Sequence, residues 1–307
     1  MAVESDPKSV RTAIGPVSLD RPVIVGVVNA TPDSFSDEGD RTEASFVRKV
    51  TEQVEAGAGI IEVGGESNVT NRPPVPAGEE IERIVPVVEA AVALGATVSI
   101  DTYKPEVAEK ALEAGAAIVN DISGSGREEM LAVCAKWKAG MVVMHTEVPP
   151  KSQKWDEDLY PDGVVERQIE FFAERLVSLA GAGIGPDQVI LDPGPDFGKT
   201  PLQTIESLRG IPRLIERFGR PVMLAVSRKD FVGALTGRRP RERAAGTLAA
   251  IGFGLDAGAT VLRVHDVAGT ADYLRVREAL LGEVEVPPGL RIPDEVRREP
   301  PGASGRK

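Results

Sequence analysis

Asn29, Asp101, Asn120, Asp192, Lys229, Arg263 and His265 share one kind of position in this chain. Each lies in, or just after, the C-terminal end of a short apolar run. Carboxylates and amides of this set suit a ligand with several N–H donors and ring acceptors. Lysine, arginine and histidine suit an anion such as phosphate. Singly, none is specific. An aspartate after a strand is most often a helix cap, and a lone histidine is most often a satisfied structural group. Capping does not explain seven such groups gathered at the same ends. Chemistry alone reaches an enzyme that handles a polar heterocycle and a phosphate; it does not name the reaction.

The elements that must position these groups are legible from pattern. β-Branched runs lie near 23–28, 60–64, 97–101, 117–120, 141–144, 188–192, 221–226 and 260–264. The segment Val23–Asp37, VIVGVVNATPDSFSD, shows the form best. An apolar run breaks into Asn29, Thr31, Asp33, Ser34, Ser36 and Asp37. Between the runs lie helical stretches. In Glu79–Leu94, Ile81, Ile84, Val85 and Val88 mark one buried face, with Pro86 interrupting it. Pro105 suits the first turn of the next helix and Gly115 its end. Gln168–Leu179 and Ala244–Leu255 also read as helices. This alternation predicts a parallel sheet. Eight units in 307 residues favour an α/β fold of the closed (β/α)8 TIM-barrel type, in a single domain, over an open doubly wound sheet. No G-x-G-x-x-G turn follows the first run, which weighs against a dinucleotide fold. In a barrel all the C-terminal strand ends converge on one mouth.

The barrel is expected over 21–284. Residues 1–20 form a lead, either flexible or folded as a small hairpin beneath it. Residues 285–307, rich in Pro, Arg and Gly, are expected to be a disordered tail. The stretch Thr146–Asp162, with Pro149, Pro150 and Pro161, is expected to be a surface excursion beside the site. Apolar content of 42% and charged content of 27% fit a globular protein. A net charge of −11 argues against nonspecific nucleic-acid binding. Cys134 is the only cysteine. It excludes an intramolecular disulfide and a cysteine-rich metal site, and it reads as a buried thiol on a helix. No signal-peptide core and no membrane-length apolar run is present. The expectation is a cytoplasmic protein with no nucleic-acid and no membrane partner.

At this point the residues resemble a known family. NATPDSFSD, GGES, SIDTYKPEVAEKALEAGAAIVNDISG, LDPG, FGKT, SRK, LTGR and RVHDV occur in that order. Together they resemble dihydropteroate synthase over residues 22–280. SRK, RVHD and NATPDSF favour this branch over the methyltransferase-type pterin barrels. The resemblance implies that a dihydropterin hydroxymethyl diphosphate loses diphosphate while the amine of p-aminobenzoate attacks the methylene carbon. It implies that Asp101, Asn120 and Asp192 bind the pterin edge, that Lys229 holds the pterin, and that Arg263 stacks on its face. Asn29, Arg263 and His265 would bind the diphosphate, with Asn29 also contributing to a Mg2+ site. Asp101, Lys229 and Arg263 would then be the catalytic groups. A homodimer is expected because the family is usually dimeric.

The chain departs from the family around the second substrate, where Ser67, Asn68, Arg72, Phe197 and Asp230 are the expected neighbours. After GGES the family usually continues Thr-Arg-Pro-Gly; here Asn68, Val69, Thr70 and Asn71 follow Ser67, and Arg72 comes later. The family's Ser-Arg-Lys-Ser ends here in Asp230, its glycine before Phe-Gly-Lys-Thr is Asp196, and its Met-His-Met ends in Thr146. An ionised Asp230 facing the acceptor's carboxylate would cost about 1 kcal/mol even when well solvated. Turned outward, it would cap the next helix and leave its N–H for the ligand. Three readings follow: an authentic synthase, a divergent pterin-binding paralogue with another acceptor, or a catalytically silent pterin binder.

Overall fold

A computed structural model describes residues 8–30, 43–67, 73–152 and 156–298. The polar residues Thr31, Asp33, Ser34, Ser36 and Asp37, and the loop residues Asn68–Arg72, lie outside that set. The described chain opens with an antiparallel hairpin, β1 (Ser9–Thr12) and β2 (Gly15–Ser18). So residues 1–20 contain the small hairpin. Strands and helices then alternate: β3 (Val23–Asn29), α1 (Glu43–Glu55), β4 (Ile60–Gly64), α2 (Ala77–Ala93), β5 (Thr97–Asp101), α3 (Pro105–Glu113), β6 (Ile118–Asp121) and α4 (Glu128–Trp137). After these come β7 (Gly140–Met144), α5 (Val164–Gly181), β8 (Val189–Asp192), α6 (Pro201–Arg209), α7 (Ile211–Phe218), β9 (Met223–Leu224), α8 (Asp230–Thr236), α9 (Ala244–Asp256), β10 (Val261–Val264) and α10 (Val267–Leu281).

Eight parallel strands run in the order β8-β7-β6-β5-β4-β3-β10-β9. A parallel bridge between Leu191 and Val222 joins β8 to the segment entering β9, and so closes the ring. The closed (β/α)8 barrel read from the sequence is therefore the observed architecture. The expected run at 221–226 yields only a two-residue strand. α2 continues through Pro86, which removes one backbone rung without ending the helix. Sequence-encoded caps set other boundaries. Pro105 opens α3, Thr200 and Gln203 form a reciprocal capping box at α6, and Asp266 accepts the Gly269 N–H of α10 at 2.9 Å.

Both faces of each strand are buried, as a barrel requires. Ile24, Val28, Ile61, Val63, Val98, Ile100, Val119 and Val143 pack outward beneath the helices. Val25, Ile60, Ile118, Val142, Ile190, Met223 and Val261 form a separate inner cluster, with Val10 and Leu19 of the hairpin region closing it from below. Side chains alternate along a strand. One inward position above this apolar floor therefore come Glu62, Asn120, Asp192 and Arg263. The site stands on a plugged, dry base.

Of the stretch 146–162, the described residues pack against the barrel more than its prolines suggested. Tyr160 is buried, and Gln203 of α6 donates to the carbonyls of Asp156 and Glu157 at 3.2 and 3.1 Å. Ile118→Ala would open a cavity in the floor. It should cost about 2–5 kcal/mol, read as a lowered urea midpoint with an unchanged m-value.

Candidate active site

Arg263 enters the mouth from β10, where Arg263 pairs in register with Val25 of β3. Its Nε donates to Glu62 Oε1 of β4, and its Nη2 donates to Asp101 Oδ2 of β5 at 2.7 Å. Glu62 is fully buried. Its other oxygen accepts Asn120 Nδ2 of β6 at 2.9 Å and lies 3.5 Å from the Ser99 hydroxyl of β5. One guanidinium and one carboxylate thus tie β10, β4, β5 and β6 together. Register explains the meeting, since Glu62 sits opposite Ser99, Gly64 opposite Asp101, and Asp101 opposite Asn120.

Burial raises the Asp101 carboxyl above its ordinary pKa, against the pull of Arg263. Burial also works against the charge on Arg263, yet Glu62 and Asp101 carry its pKa upward. Asp192 ends β8, is buried, and accepts the Gly194 N–H at 2.7 Å. Burial raises its pKa too, opposed by that hydrogen bond and by Lys229. Lys229 precedes α8, with its ammonium 4.2 Å from the centre of the Phe197 ring. Burial lowers its pKa, while Asp196 works to raise it.

His265 follows β10, and its Nδ1 lies 3.0 Å from the Ser227 hydroxyl, which also accepts the His265 backbone N–H. Burial, then Arg263, Arg228 and Lys229, depress its pKa to about 4. Asn29 is exposed at the end of β3, opposite Gly64. A Cβ at Gly64 would lie 3.6 Å from the Asp101 Cβ and 3.8 Å from Asn29 Oδ1, so this glycine borders both residues. Six of the seven residues singled out from the sequence lie in or next to the C-terminal ends of barrel strands, and Lys229 lies at the end of the segment between β9 and α8. Arg263 and Asp101 are in direct contact, and Asn120 is linked to them through Glu62.

Of the acceptor-region residues, Ser67 follows β4 and is half-buried, as is Phe197; Asn68 and Arg72 fall outside the described residues. Asp230 starts α8 with its side chain 63% exposed and paired with Arg243 Nη1 at 2.9 Å. Its backbone N–H, expected to be left for a ligand, instead donates to Asp196 Oδ2.

Several contributors escaped the sequence reading. Glu62 sat inside an apolar run as its lone charge. Lys199 of the FGKT motif is buried and donates to the carbonyls of His145, Gly194 and Phe197 at 3.1, 3.0 and 3.2 Å. It thereby shapes the loop that carries Phe197. Burial lowers its pKa to about 7. Gly194, in the left-handed region at φ 64°, has no room for a Cβ, which would lie 2.1 Å from the His145 carbonyl. At the rim, Glu66 accepts from Lys104 at 2.5 Å and Lys151 at 2.9 Å, and from the Val75 N–H at 3.2 Å. His145 itself is an aromatic core residue, 4.9 Å from Phe171. Among the described residues no three His, Cys, Asp or Glu side chains gather as a metal site.

Removing one partner of a buried ion pair strands the other. Glu62→Ala should cost about 3–5 kcal/mol in chemical denaturation, against about 0–1 kcal/mol for Glu79→Ala, which breaks the exposed pair with Arg83. His265 gives a pH signature. Its folded pKa of about 4 lies below the ordinary 6.5. The neutral ring contributes stability that is complete above about 6.5 and lost as pH falls through the folded pKa. Urea midpoints of the parent should fall faster than those of His265→Asn over that window.

A family model for pterin binding enzymes matches residues 25–265. A dihydropteroate synthase of Synechocystis is 39% identical over 85% of this chain and 90% of its own length. A type-3 dihydropteroate synthase of Escherichia coli is 38% identical over 84% of this chain and 98% of its own. Among solved structures, a Xanthomonas albilineans dihydropteroate synthase with 4-aminobenzoic acid superposes with a TM-score of 0.82 at 38% identity. That match covers 92% of this chain and all of the other. A Thermus thermophilus dihydropteroate synthase in complex with 6HMPPP gives a TM-score of 0.75 at 36% identity, over 89% and 99%.

Proposed function

The chain belongs to the pterin-binding enzyme family and, within it, to the dihydropteroate synthases, and we propose that it joins 6-hydroxymethyl-7,8-dihydropterin diphosphate to p-aminobenzoate in the mouth of its barrel. One observation carries the assignment of the site. The Glu62–Arg263–Asp101 chain, with Asn120, Asp192 and Lys229 around it, sits above a closed apolar floor.

On this reading Asp101, Asn120 and Asp192 take the donor and acceptor edge of the pterin. Arg263, its Nε and Nη2 already engaged by carboxylates, lies against the ring face, and Lys229 contacts the pterin between Asp192 and Phe197. The C–O bond to diphosphate breaks, and the arylamine nitrogen forms the new C–N bond at the methylene carbon before losing a proton. No side chain need act as a nucleophile. Positive charge developing on the pterin meets fixed carboxylates, which stabilise it without reorganisation. Asn29, Arg263 and His265 receive the diphosphate. Asn29, whose side chain offers an amide oxygen of the kind hard cations prefer, would hold Mg2+. Mg2+ bound there would supply neutralisation of the leaving charge.

The acceptor lies at Phe197, Ser67 and the start of α8. The outward turn of Asp230 onto Arg243 takes away one charge-based reason for a different acceptor. The reading includes a homodimer, for which Phe253, Val276 and Leu280, exposed on α9 and α10, offer apolar surface. It also includes a cytoplasmic location. Among the described residues no helix is long and apolar enough to cross a membrane.

Incubation with the pterin diphosphate, Mg2+ and p-aminobenzoate should yield dihydropteroate and diphosphate in equal amounts. Diphosphate without dihydropteroate would indicate another acceptor. Binding without turnover of any amine would leave a silent pterin binder.

A further inference from the structure

Asp196 occupies a backbone position that favours glycine. Its φ is 64°, in the left-handed region that costs most L-residues about 1–2 kcal/mol and is best tolerated by Asn and Asp. The strain is held by a local clasp. The Asp196 N–H donates to Thr204 Oγ1 at 3.1 Å, and the Thr204 hydroxyl donates back to Asp196 Oδ1 at 3.3 Å. The other oxygen, Oδ2, accepts the backbone N–H of Asp230. Phe197 is the next residue, and the Lys229 ammonium that sits over its ring is also the main charge stabilising the Asp196 carboxylate.

Two acidic residues therefore stand at this corner, and they do different things. Asp230 is 63% exposed and held by Arg243, whose Nη1 also bonds the carbonyls of Arg228 and Lys229 at 2.8 and 3.0 Å. Its charge is matched and turned to solvent. Asp196 is half-buried and accepts the Asp230 N–H. Burial raises its pKa, and Lys229 and the Asp230 N–H oppose that rise.

We propose that Asp196 is a specificity-determining residue of the acceptor subsite. Its carboxylate already holds the Asp230 backbone N–H and shares the Lys229 charge, so it disfavours an arylamine that brings a second carboxylate. It favours one whose distal group donates hydrogen bonds, such as a primary carboxamide. The inference rests on the reading that the acceptor lies at Phe197 and the start of α8.

The test compares KM for p-aminobenzoate and for p-aminobenzamide, at saturating pterin diphosphate, in the parent, Asp196→Asn and Asp230→Ser. Asparagine tolerates the left-handed backbone and keeps an accepting oxygen, and a thermal melt checks that the fold is retained. Asp196→Asn should lower KM for p-aminobenzoate by about three- to tenfold, the scale of one like charge a few ångströms away in a partly solvated corner. KM for p-aminobenzamide should stay level or rise, and KM for the pterin diphosphate should not move. Asp230→Ser should leave the ratio of the two acceptors unchanged. An equal shift for both acceptors in Asp196→Asn, or no shift for p-aminobenzoate, would overturn the inference and leave the synthase reading standing. Turnover of neither acceptor by any of the three proteins would overturn the synthase reading, and the inference with it.

Discussion

A guanidinium inside a barrel is the constraint from which the rest of the mouth follows. Arg263 stands directly above an apolar floor, where an unpaired charge would be far too costly to keep. Glu62 and Asp101 satisfy it from two neighbouring strands. Glu62 in turn needs donors for its second oxygen, and Asn120 supplies one. The strands that offer the ligand-facing groups are thereby fixed relative to one another before any ligand arrives. An electrostatic site that works by stabilising charge needs this, because its dipoles must not have to reorganise as the charge develops.

Buried lysines do a second job around the rim. Lys199 points its ammonium at three carbonyl oxygens and acts as a fixed internal cation for the loop after β8. That loop sets Asp196 and Phe197 beside Lys229. On the opposite side, Lys104 bonds Glu66, Glu80 and the Val75 carbonyl, and Lys151 reaches Glu66 and the Pro73 carbonyl. Loops leaving β4, β5 and β7 are joined by this cluster. Short charge-assisted bonds to carbonyls and carboxylates hold such loops more firmly than their few apolar contacts would.

The two halves of the mouth have been treated differently by the sequence. The half around Arg263 keeps acidic, amide and cationic groups in one interlocked arrangement. At the corner around Phe197 stand two further carboxylates, Asp196 and Asp230. Arg243 offsets one of those charges from outside the mouth, while Lys229 and a backbone N–H offset the other from within. The chain has thus absorbed two carboxylates without leaving either unpaired.

How much of this was legible depends on the range of the interaction. The barrel was readable because eight apolar runs, continuous as strands buried on both faces are, alternate with helical stretches. That Asn29, Asp101, Asn120, Asp192, Lys229, Arg263 and His265 stand at or beyond the ends of those runs was readable directly. Glu62 was not readable as a site residue. A lone glutamate within IIEVGG gives no local sign of facing inward, and its meaning comes from Arg263, two hundred positions away in sequence and next to it across the ring. The outward turn of Asp230 needed Arg243, just before α9, and the placing of the Asp196 carboxylate needed Thr204 and the Asp230 N–H. Sequence determined which groups stand at the strand ends, because local periodicity and register place them there. Tertiary structure alone decided which charges neutralise one another, because that depends on distances between elements that no local pattern encodes.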